Sequence, residues 1–507
     1  MEYLIRPSLV SEIDAFATKE LSLSEQMLIL RAGEAVAEEI SARVAPSGVL
    51  IFCGCGNNGA DGYATALSLA ARGFSPLAVD VFGCGQRTEG GRAVLAAYCA
   101  RFGSPLTLAE AAEKEAAVTV DALLGTGAHG PFSGVVSEAA AVMRARSGFH
   151  VAIDLPLGVD ADYGELWEGA VKADLTVMLS FAKRGLLSYP AKEMCGELVT
   201  ASIGLAVREV TDAFPLVPLP SDAYARAAMP PRATNSHKGS FGRLRIYAGS
   251  EVYRGALRLA LSAALRSGVG LVHVCTASSL SDALVAEYPE AIYEPAPAFS
   301  EMTEEEMETE LSRTQKADAL LIGPGCGVSE GLYRFVLALL SRQGGTLVLD
   351  ADALGALALH PEKAQSALRE ARRPVLLTPH PLELARLIGK TVPEVQSARI
   401  RVAEEYAARW GVGLLLKGAG TVIATPDALT VNPSGSSALA KGGSGDVLAG
   451  LVGSLAAQGA LPFDALALGA YLHGCAGDTL SSRYSLYGVT PSDLPLAIAE
   501  QIARIFK

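Results

Sequence analysis

A chain of 507 residues, half of them hydrophobic, is too long for one hydrophobic core, because single domains usually run to about 100–250 residues. Its net charge of −12 argues against a nucleic-acid-binding protein, which would carry a basic surface. The N-terminus lacks the apolar region of a secretory signal, and no uninterrupted apolar run reaches the ~20 residues of a membrane span. We therefore expect a cytoplasmic protein with no nucleic-acid or membrane partner.

The first part of the chain alternates short apolar segments with alanine-rich ones. Five apolar segments predict buried strands: VLIFCG, LAVDVFG, AAVTVDALLG, HVAIDLP and ADLTVMLS. Continuous apolar strands that alternate with helices are typical of a parallel sheet covered on both faces. The pattern predicts a doubly wound α/β domain.

The segment GCGNNGADG follows the first predicted strand and matches G-x-G-x-x-G with Gly54, Gly56 and Gly59. Asp80 follows the next strand, where a dinucleotide-binding domain binds ribose. The motif is weak alone, and Asp61 at the start of the predicted helix would repel a diphosphate. Asp61 is then either a helix-start residue or part of a different site.

Polar side chains follow three of these strands. Asn57 and Asn58 follow the first, Asp121 ends another, and Asp154 ends a third. In open parallel sheets the ligand crevice lies beyond the carboxyl ends of the strands. We therefore expect these four residues on one rim.

The motifs GNNGADG, VDALLGTG and IDLPLGVDAD resemble the signatures of the NAD(P)H-hydrate epimerase domain, also called the YjeF N-terminal domain, over most of residues 1–210. The resemblance implies that Asn58 and Asp121 ligate K⁺ and that Asp154 is the acid/base at C6 of a hydrated nicotinamide ring. The family usually has serine at Leu157, so here the metal would take only the backbone of that residue. The residues implied to hold the hydrated nucleotide are Asn57, Asn58, Gly59, Ala60, Asp61, Gly125, Thr126, Gly127, Ala128, His129, Gly130, Pro131 and Asp154.

Five prolines lie between Thr211 and Arg232 and are predicted to forbid regular helix or central strand there. We place the first domain at residues 1–212, a linker at 213–221 and a second domain at 222–507. Six later segments repeat the strand pattern: RLRIYAGS, LVHVCTA, ADALLIGPG, TLVLDADAL, VLLTPHP and GLLLKGAG. The predicted fold class is thus α/β with two doubly wound domains. The glutamate-rich run at 301–310 is predicted to be a solvated helix face.

The segment AKGGSGDVLAG places glycines directly before a helix that contains Asp446. Amides at a helix N-terminus can bind an oxyanion. Asp446 is either a helix cap or a general base that takes a proton from a hydroxyl while the amides of residues 442–445 stabilise a transferred phosphoryl group. The glycines favour the base, because a cap does not need them.

Other candidate residues lie upstream of Asp446. Lys417 precedes a glycine-rich turn and a hairpin, and is either a phosphate ligand or a surface lysine. His380 is either a substrate contact or a buried structural histidine, and Glu383 can hold Mg²⁺ through water. Asp350 and Asp352 have roles that the sequence does not separate from capping at the end of a strand.

In this order, the motifs SHKGSFGRLRIYAGS, GPGCG, LTPHPLELARL, LKGAGT and GGSGDVLAG resemble the ribokinase-like ADP/ATP-dependent NAD(P)H-hydrate dehydratase domain, over about residues 222–505. The resemblance implies that Ala256, Gly325, His380 and Asp446 face the hydrated nucleotide. Lys441 replaces a commoner threonine and would contact phosphate or point to solvent. The residues implied to hold the adenine nucleotide are Lys417, Gly418, Ala419, Gly420, Thr421 and Gly445.

Together these resemblances predict a bifunctional, homo-oligomeric enzyme. Its first domain would epimerise the R and S forms of NAD(P)HX with K⁺. Its second would dehydrate (6S)-NAD(P)HX to NAD(P)H at the expense of ADP or ATP with Mg²⁺, with ADP favoured. One alternative is a small-molecule kinase of the hydroxymethylpyrimidine type with a fused non-catalytic Rossmann module. In a second, the N-terminal half is only a nucleotide-binding or scaffold module.

Overall fold

The computed structural model describes residues 2–128 and 130–507, so the predicted site residue His129 lies outside the described residues. The chain forms two compact units, Glu2–Val217 and Pro218–Lys507. Their boundary falls inside the segment predicted as a linker. Among the described residues, no helix has the length and apolarity needed to cross a membrane.

The N-terminal unit contains a parallel six-stranded sheet of order β3-β2-β4-β5-β6-β8 and a three-stranded sheet of order β7-β1-β9. Its strands are β1 (Tyr3–Ile5), β2 (Gly48–Cys53), β3 (Ser75–Asp80), β4 (Val118–Ala122), β5 (Phe149–Ile153), β6 (Leu175–Leu179), β7 (Ala182–Lys183), β8 (Glu197–Ala201) and, at the boundary, β9 (Val217–Pro218). Its helices are α1 (Val10–Glu20), α2 (Glu25–Ser41), α3 (Asn57–Ala71), α4 (Glu89–Phe102), α5 (Leu108–Ala112), α6 (Val135–Arg144), α7 (Lys192–Cys195) and α8 (Val207–Ala213), with 3₁₀ turns at Pro7–Leu9 and Arg184–Leu187.

The six-stranded sheet is covered on both faces, as predicted from the continuous apolar runs. In β2, Val49 and Ile51 belong to one buried cluster, whereas Leu50 and Phe52 belong to another. Successive side chains of a strand point to opposite faces, so both faces need apolar residues. The five predicted strands correspond to β2 through β6. The edge strand β8 was not predicted, because its residues are largely half-buried and carry no apolar run.

The C-terminal unit contains a nine-stranded sheet of order β12-β11-β10-β13-β14-β15-β16-β17-β18. Its first seven strands are parallel, and β16, β17 and β18 pair antiparallel. The strands are β10 (Arg243–Tyr247), β11 (Leu271–Thr276), β12 (Ile292–Pro295), β13 (Ala319–Ile322), β14 (Thr346–Leu349), β15 (Val375–Leu377), β16 (Gly413–Leu416), β17 (Val422–Ala424) and β18 (Leu429–Val431). The helices are α9 (Asp222–Ala228), α10 (Arg254–Arg266), α11 (Ser278–Leu284), α12 (Glu304–Arg313), α13 (Glu330–Leu340), α14 (Asp352–Leu357), α15 (Pro361–Arg369), α16 (Pro381–Ile388), α17 (Val392–Ser397), α18 (Arg399–Trp410), α19 (Ser444–Ala457), α20 (Pro462–Gly488) and α21 (Leu494–Phe506), with 3₁₀ turns at Lys238–Phe241, Thr314–Lys316 and Ser437–Leu439.

The prediction that prolines exclude helix between Thr211 and Arg232 was wrong for α9. This helix fits between the prolines, and the Ser221 hydroxyl caps it by accepting a hydrogen bond from Tyr224 N at 3.2 Å. Tyr224 is buried, and its hydroxyl donates to Asp464 Oδ1 at 2.5 Å. The segment after the boundary is therefore part of the C-terminal unit.

The glutamate-rich run also departs from the prediction at one position. Most of its residues are exposed on α12, but Glu310 is buried. Its carboxylate accepts hydrogen bonds from Arg313 Nη1 at 2.5 Å and from the Tyr247 hydroxyl at 2.9 Å. Glu310 therefore satisfies buried polar groups, whereas the other glutamates of the run face solvent.

Candidate active sites

Each sheet has a position where the strand order reverses. The predicted site residues lie at the edge of the sheet formed by the carboxyl ends of its strands. In the N-terminal unit β2 lies beside β4, while β3 and β5 lie on opposite sides of this pair. In the C-terminal unit β10 lies beside β13, with β11 and β14 outside them. Ligands of open α/β sheets bind in the crevice outside such a reversal.

A cavity of about 1050 Å³ opens at this position of the N-terminal unit. Eight of the predicted residues line it: Asn57, Asn58, Asp61, Gly125, Thr126, Gly127, Ala128 and Asp154. Gly130 and Pro131 are not among its lining residues, and Ala60 lies in the hydrophobic core instead. Asp14 and Lys183, which sequence reasoning did not identify, also line the cavity.

Asp154 and Lys183 form a buried ion pair in this cavity. Lys183 Nζ donates to Asp154 Oδ1 and, at 2.9 Å, to the Leu179 carbonyl. Asp154 Oδ1 also accepts the Leu179 N–H at 3.0 Å. The backbone of Asp154 has φ +70°, which is rare for a residue with a side chain and is characteristic of functional sites. The pair supplies an acceptor and a proton donor side by side.

Two further carboxyl groups lie near this pair. Asp61 is buried in the second turn of α3, so it is not the helix-start residue considered above. Burial, together with the charges of Asp154 and Asp14, raises the pKa of Asp61 well above its usual range. Burial also raises the pKa of Asp14 to about 6, with Asp154 adding to the shift. The raised pKa values favour protonated carboxyl groups at Asp14 and Asp61 in this cavity.

Of the residues predicted to ligate K⁺, Asn58 lines the cavity, whereas the buried Asp121 is not among the lining residues. Asn58 Nδ2 donates to the Leu124 carbonyl at 2.9 Å, and this bond assigns the orientation in which Oδ1 is buried with no partner among residues 2–128 and 130–507. Asp121 accepts the N–H groups of Leu123 at 3.2 Å and Leu157 at 2.6 Å, while burial raises its pKa to about 6. The Leu157 side chain packs in the hydrophobic core, so only its backbone is polar here. An orphaned amide oxygen and a buried carboxylate suit a hard cation.

Two of the three glycines in the G-x-G-x-x-G match, Gly54 and Gly59, are required by close packing. A Cβ at Gly54 would lie 2.0 Å from the Leu123 carbonyl oxygen, and one at Gly59 would lie 1.8 Å from that of Gly54. Asp80 accepts the N–H groups of Gly83 at 3.0 Å and Gly85 at 3.1 Å. Both carboxylate oxygens of Asp80 thus accept hydrogen bonds within a turn, which explains this aspartate without a ribose ligand.

Ala256 and Gly325 meet at the reversal in the C-terminal sheet. Gly325 follows β13 with φ +67°, and a Cβ there would lie 3.0 Å from Ala256 Cβ and 2.8 Å from Tyr253 Cβ. Only glycine allows this close approach. The Tyr253 side chain beside them is exposed, and sequence reasoning did not identify it.

Asp446 lies in the first turn of α19, whose cap position is Gly443 with φ +103°. Because Gly443 holds the cap position, Asp446 is not the N-cap residue of α19. Burial raises the pKa of Asp446 to about 6, the charge of Asp350 adds to the shift, and Lys417 opposes it. A half-buried carboxylate beside helix-start amides is suited to general-base chemistry.

Lys417 lies at the end of β16 among carboxylates, so it is not the surface lysine considered above. Its Nζ donates to Asp350 Oδ1 at 2.8 Å and lies 4.0 Å from Glu383 Oε2. Burial lowers the pKa of Lys417, but Asp350 and Glu383 outweigh it and raise that pKa overall. Asp350 also accepts the Thr378 hydroxyl at 2.8 Å. Asp350 therefore holds the lysine in place and does not cap a strand end.

His380 and Glu383 form the N-terminal capping box of α16. His380 Nδ1 accepts the Glu383 N–H at 3.2 Å, and Glu383 Oε2 accepts the His380 N–H at 2.8 Å. The His380 side chain is 45% exposed, which excludes the buried structural histidine, and burial lowers its pKa. Burial raises the pKa of Glu383 to about 7, against the charge of Lys417.

The loop from Lys417 to Thr421 is held in a tight conformation. Gly418 has φ +139° and Gly420 has φ +59°, and the Thr421 hydroxyl donates to the Gly418 carbonyl at 2.8 Å. Ala419 lies between the two glycines. A Cβ at Gly445 would lie 3.3 Å from Lys417 Nζ, so the start of α19 faces this loop.

Lys441 is exposed, but its side chain is held by backbone oxygens at the end of α20. Its Nζ donates to the carbonyl of Tyr487 at 2.6 Å and to that of Val489. The ammonium group therefore caps the end of α20 and is already engaged by backbone oxygens.

Comparison with known proteins decides the family. The family model described as NAD(P)H-hydrate dehydratase matches residues 244–500, and that described as YjeF-related protein N-terminus matches residues 25–185. A Moorella thermoacetica protein named bifunctional NAD(P)H-hydrate repair enzyme Nnr is 35% identical, over 97% of this chain and 95% of that protein. The chain belongs to the family of bifunctional NAD(P)H-hydrate repair enzymes.

A second full-length relative agrees with the assignment. The Escherichia coli strain K12 protein of the same name is 34% identical over 94% of this chain and 90% of its own length. A Bacillus subtilis ADP/ATP-dependent NAD(P)H-hydrate dehydratase, co-crystallised with ATP and Mg²⁺, is 32% identical, covers 57% of this chain and 99% of its own, and has a TM-score of 0.49. Because full-length relatives carry the bifunctional name, the alternative of a small-molecule kinase with a non-catalytic first module is not supported.

Proposed function

We propose that this member of the repair-enzyme family acts on hydrated NADH and NADPH at two sites. The N-terminal unit interconverts the R and S forms of NAD(P)HX, and the C-terminal unit dehydrates (6S)-NAD(P)HX to NAD(P)H at the expense of ADP or ATP. The observation that carries the proposal is the pairing, in one chain, of a carboxylate–ammonium cavity with a glycine-bordered carboxylate, each at a reversal of strand order.

In the epimerase site, Asp154 and Lys183 are proposed to donate a proton to the oxygen at C6 and to take a proton back when water adds again. Protonation of that oxygen lets it leave as water while the ring nitrogen supplies electrons, and a water molecule that adds to the other face of C6 returns the proton. The ion pair supports this role because it places a proton donor, Lys183, in contact with a proton acceptor, Asp154. Asp14 and Asp61 would hold the nucleotide as hydrogen-bond donors when protonated.

Asn58 and Asp121 are proposed to hold K⁺, with the backbone of Leu157 nearby. The buried, partnerless Oδ1 of Asn58 supports this proposal, because an unsatisfied buried oxygen is unfavourable. K⁺ bound there would supply positive charge that keeps Asp121 ionised and orders the loop that begins at Gly125.

In the dehydratase site, Asp446 is proposed to take the proton of the C6 hydroxyl as its oxygen attacks the terminal phosphorus of the nucleotide. The amides of residues 442–445 would stabilise the charge on the transferred group. Inorganic phosphate then leaves C6, C5 loses a proton, and the C5–C6 double bond of NAD(P)H is restored. Ala256, Gly325 and His380 would line the position of the ring.

The loop Lys417–Thr421, together with Gly445, is proposed to bind the adenine nucleotide, with ADP as the favoured donor. Mg²⁺ would accompany the nucleotide, because this cation usually binds through substrate phosphates and water. Glu383 would contact the Mg²⁺ only through water.

The test is to incubate the full chain with an R/S mixture of NADHX, K⁺, Mg²⁺ and either ADP or ATP, and to follow the absorbance of reduced nicotinamide. Complete conversion of both epimers is expected for the wild type. With Asp154→Asn, conversion to NADH should stop once the S epimer is consumed. With Asp446→Asn, no NADH should form. Accumulation of a stable phosphorylated product would instead favour an ordinary kinase, and full conversion by Asp154→Asn would reduce the first unit to a scaffold.

A further inference from the structure

The guanidinium of Arg399, at the start of α18, lies directly behind the Lys417–Thr421 loop. Its Nη2 donates to the carbonyls of Leu416 at 3.1 Å, Lys417 at 3.3 Å and Gly420 at 3.4 Å. The residue is 2% exposed. One side chain therefore ties the end of β16 to the far side of the loop.

Gly418 makes room for this arginine. A Cβ at Gly418 would lie 3.0 Å from both Nη1 and Nη2 of Arg399, and its φ of +139° is rarely adopted by other residues. The loop and the arginine therefore fit one another. A side chain at position 418 would both collide with Arg399 and strain the backbone.

The hydrogen bonds of Arg399 also orient the loop amides. In a trans peptide the C=O and the following N–H point in opposite directions. Carbonyls of Lys417 and Gly420 that point to Arg399 therefore direct the N–H groups of Gly418 and Thr421 away from it. Within residues 2–128 and 130–507, these two N–H groups donate to no protein acceptor.

The positive charge of Arg399 has no counter-ion in the described part of the chain. Nη1 donates to the neutral Gln396 Oε1 at 2.7 Å, and Nε is buried without a partner. Burial lowers the pKa of Arg399 to about 10, so the side chain is still charged at neutral pH. A buried charge without compensation is unfavourable, which calls for an external anion.

We infer that Arg399 is a positioning residue of the dehydratase site, and that the phosphates of the adenine nucleotide are its missing counter-charge. This rests on the proposed function of the Lys417–Thr421 loop. Arg399 fixes the two free amides for phosphate oxygens and adds positive potential behind them without touching the ligand. Its contribution should therefore grow with the number of phosphate charges and vanish for adenosine.

The decisive variant is Gln396→Glu, which places a carboxylate beside Arg399 with little change of shape. It should weaken ADP binding by about tenfold, because it neutralises the charge behind the loop, and change adenosine binding by less than about twofold. Arg399→Met should weaken ADP binding at least as much, and Arg399→Lys, which keeps the charge, should weaken it less. Affinities are measured by calorimetry or competition on the full chain, with melting temperature recorded for each variant.

Arg373→Met is the matched control. Arg373 is also buried, also donates to two backbone carbonyls (Arg342 at 3.0 Å and Gln343 at 2.9 Å), and also has a pKa lowered by burial. It precedes β15, at the opposite edge of the sheet, so its loss should lower stability and leave ADP affinity unchanged. Equal weakening of adenosine and ADP by Gln396→Glu, or no weakening, would overturn the inference. Failure of the wild type to bind ADP or ATP would instead overturn the proposed nucleotide site.

Discussion

Lys417 Nζ donates a hydrogen bond to Asp350 Oδ1 over 2.8 Å, and Asp350 is 1% exposed. The same carboxylate raises the pKa values of Lys417 and Asp446. One aspartate at the end of β14 therefore contributes to the raised pKa of a proposed phosphate ligand and of the proposed base.

We expect Asp350→Asn to shift the pH profile of dehydration toward lower pH. After burial, Asp350 is the largest contribution that raises the pKa of Asp446 to about 6, so its removal should let Asp446 ionise at lower pH. The measurement is kcat/KM for (6S)-NADHX between about pH 4.5 and 8. This range covers the acid limb expected for the wild type and the lower one expected for the variant. An unchanged acid limb with lower activity at every pH would mean that Asp350 only supports local structure.

Asp446→Asn is expected to reduce dehydration by about 10²–10⁴-fold while ADP affinity stays within a few-fold of wild type. The substitution removes the proton acceptor but retains the size of the side chain. Single-turnover rates with (6S)-NADHX and separate ADP titrations distinguish chemistry from binding. Near-normal turnover at saturating nucleotide would contradict the general-base role.

Asp446→Asn should also change stability in a direction that a lost helix cap would not. The folded-state pKa of about 6 lies above the ordinary 3.8, so the folded protein holds this proton more tightly than the unfolded chain. The contribution of Asp446 to stability is thus favourable at low pH and is lost as pH rises from about 4 to 6. The variant should melt at a higher temperature than wild type at pH 7, and the two should converge near pH 4. A lower melting temperature at pH 7 would identify a structural carboxylate.

The sequence predicted the doubly wound sheets because buried parallel strands leave continuous apolar runs, such as those of β2 and β4. It also predicted Asn58 and Asp154 after strands, because parallel strands bring their carboxyl ends to one edge, and Asp446 at a helix start that follows a glycine-rich loop. It did not predict α9, because proline composition does not reveal that a seven-residue helix fits between the prolines.

The sequence did not predict site residues that lie far along the chain from the motifs they join. Lys183 follows β6 in an apolar context, and only the fold brings it to Asp154. Asp14 and Arg399 lie on helices without a motif, and their pKa shifts arise from burial that local patterns do not report. Lys183 could have been identified from the sequence, because it lies shortly after a predicted strand, as Asp154 does.

Asp121→Ala should slow epimerisation and abolish its dependence on K⁺, while dehydration of (6S)-NADHX stays at the wild-type rate. The reason is that Asp121 and the partnerless Oδ1 of Asn58 are the proposed oxygen ligands. Epimerisation is followed by the conversion of purified R epimer, with K⁺ replaced by a larger organic cation as the comparison. Asp80→Ala, which removes a carboxylate that holds a turn in the same unit, is the control for general destabilisation. Equal K⁺ dependence in Asp121→Ala and wild type would rule out this site.

A fragment of residues 218–507 should fold and dehydrate (6S)-NADHX without the first unit. The unit boundary lies between Val217 and Pro218, and α9 belongs to the second core. There the Tyr224 hydroxyl donates to Asp464 at 2.5 Å, and Asp222 accepts hydrogen bonds from Arg504 Nη1 at 2.6 Å and the Tyr471 hydroxyl at 2.9 Å.

A shorter fragment of residues 229–507 is the informative comparison for this boundary. It lacks α9, so the Asp464 carboxylate and the Arg504 guanidinium lose these partners, and burial of Tyr224 is lost as well. Removal of a buried aromatic side chain typically costs about 3–5 kcal/mol, a large part of the stability of one domain. We therefore expect the shorter fragment to melt well below the longer one, or to be insoluble, although both contain every proposed dehydratase residue. If the two fragments are equally stable, α9 is part of a linker after all; if neither folds, the second core depends on the first unit.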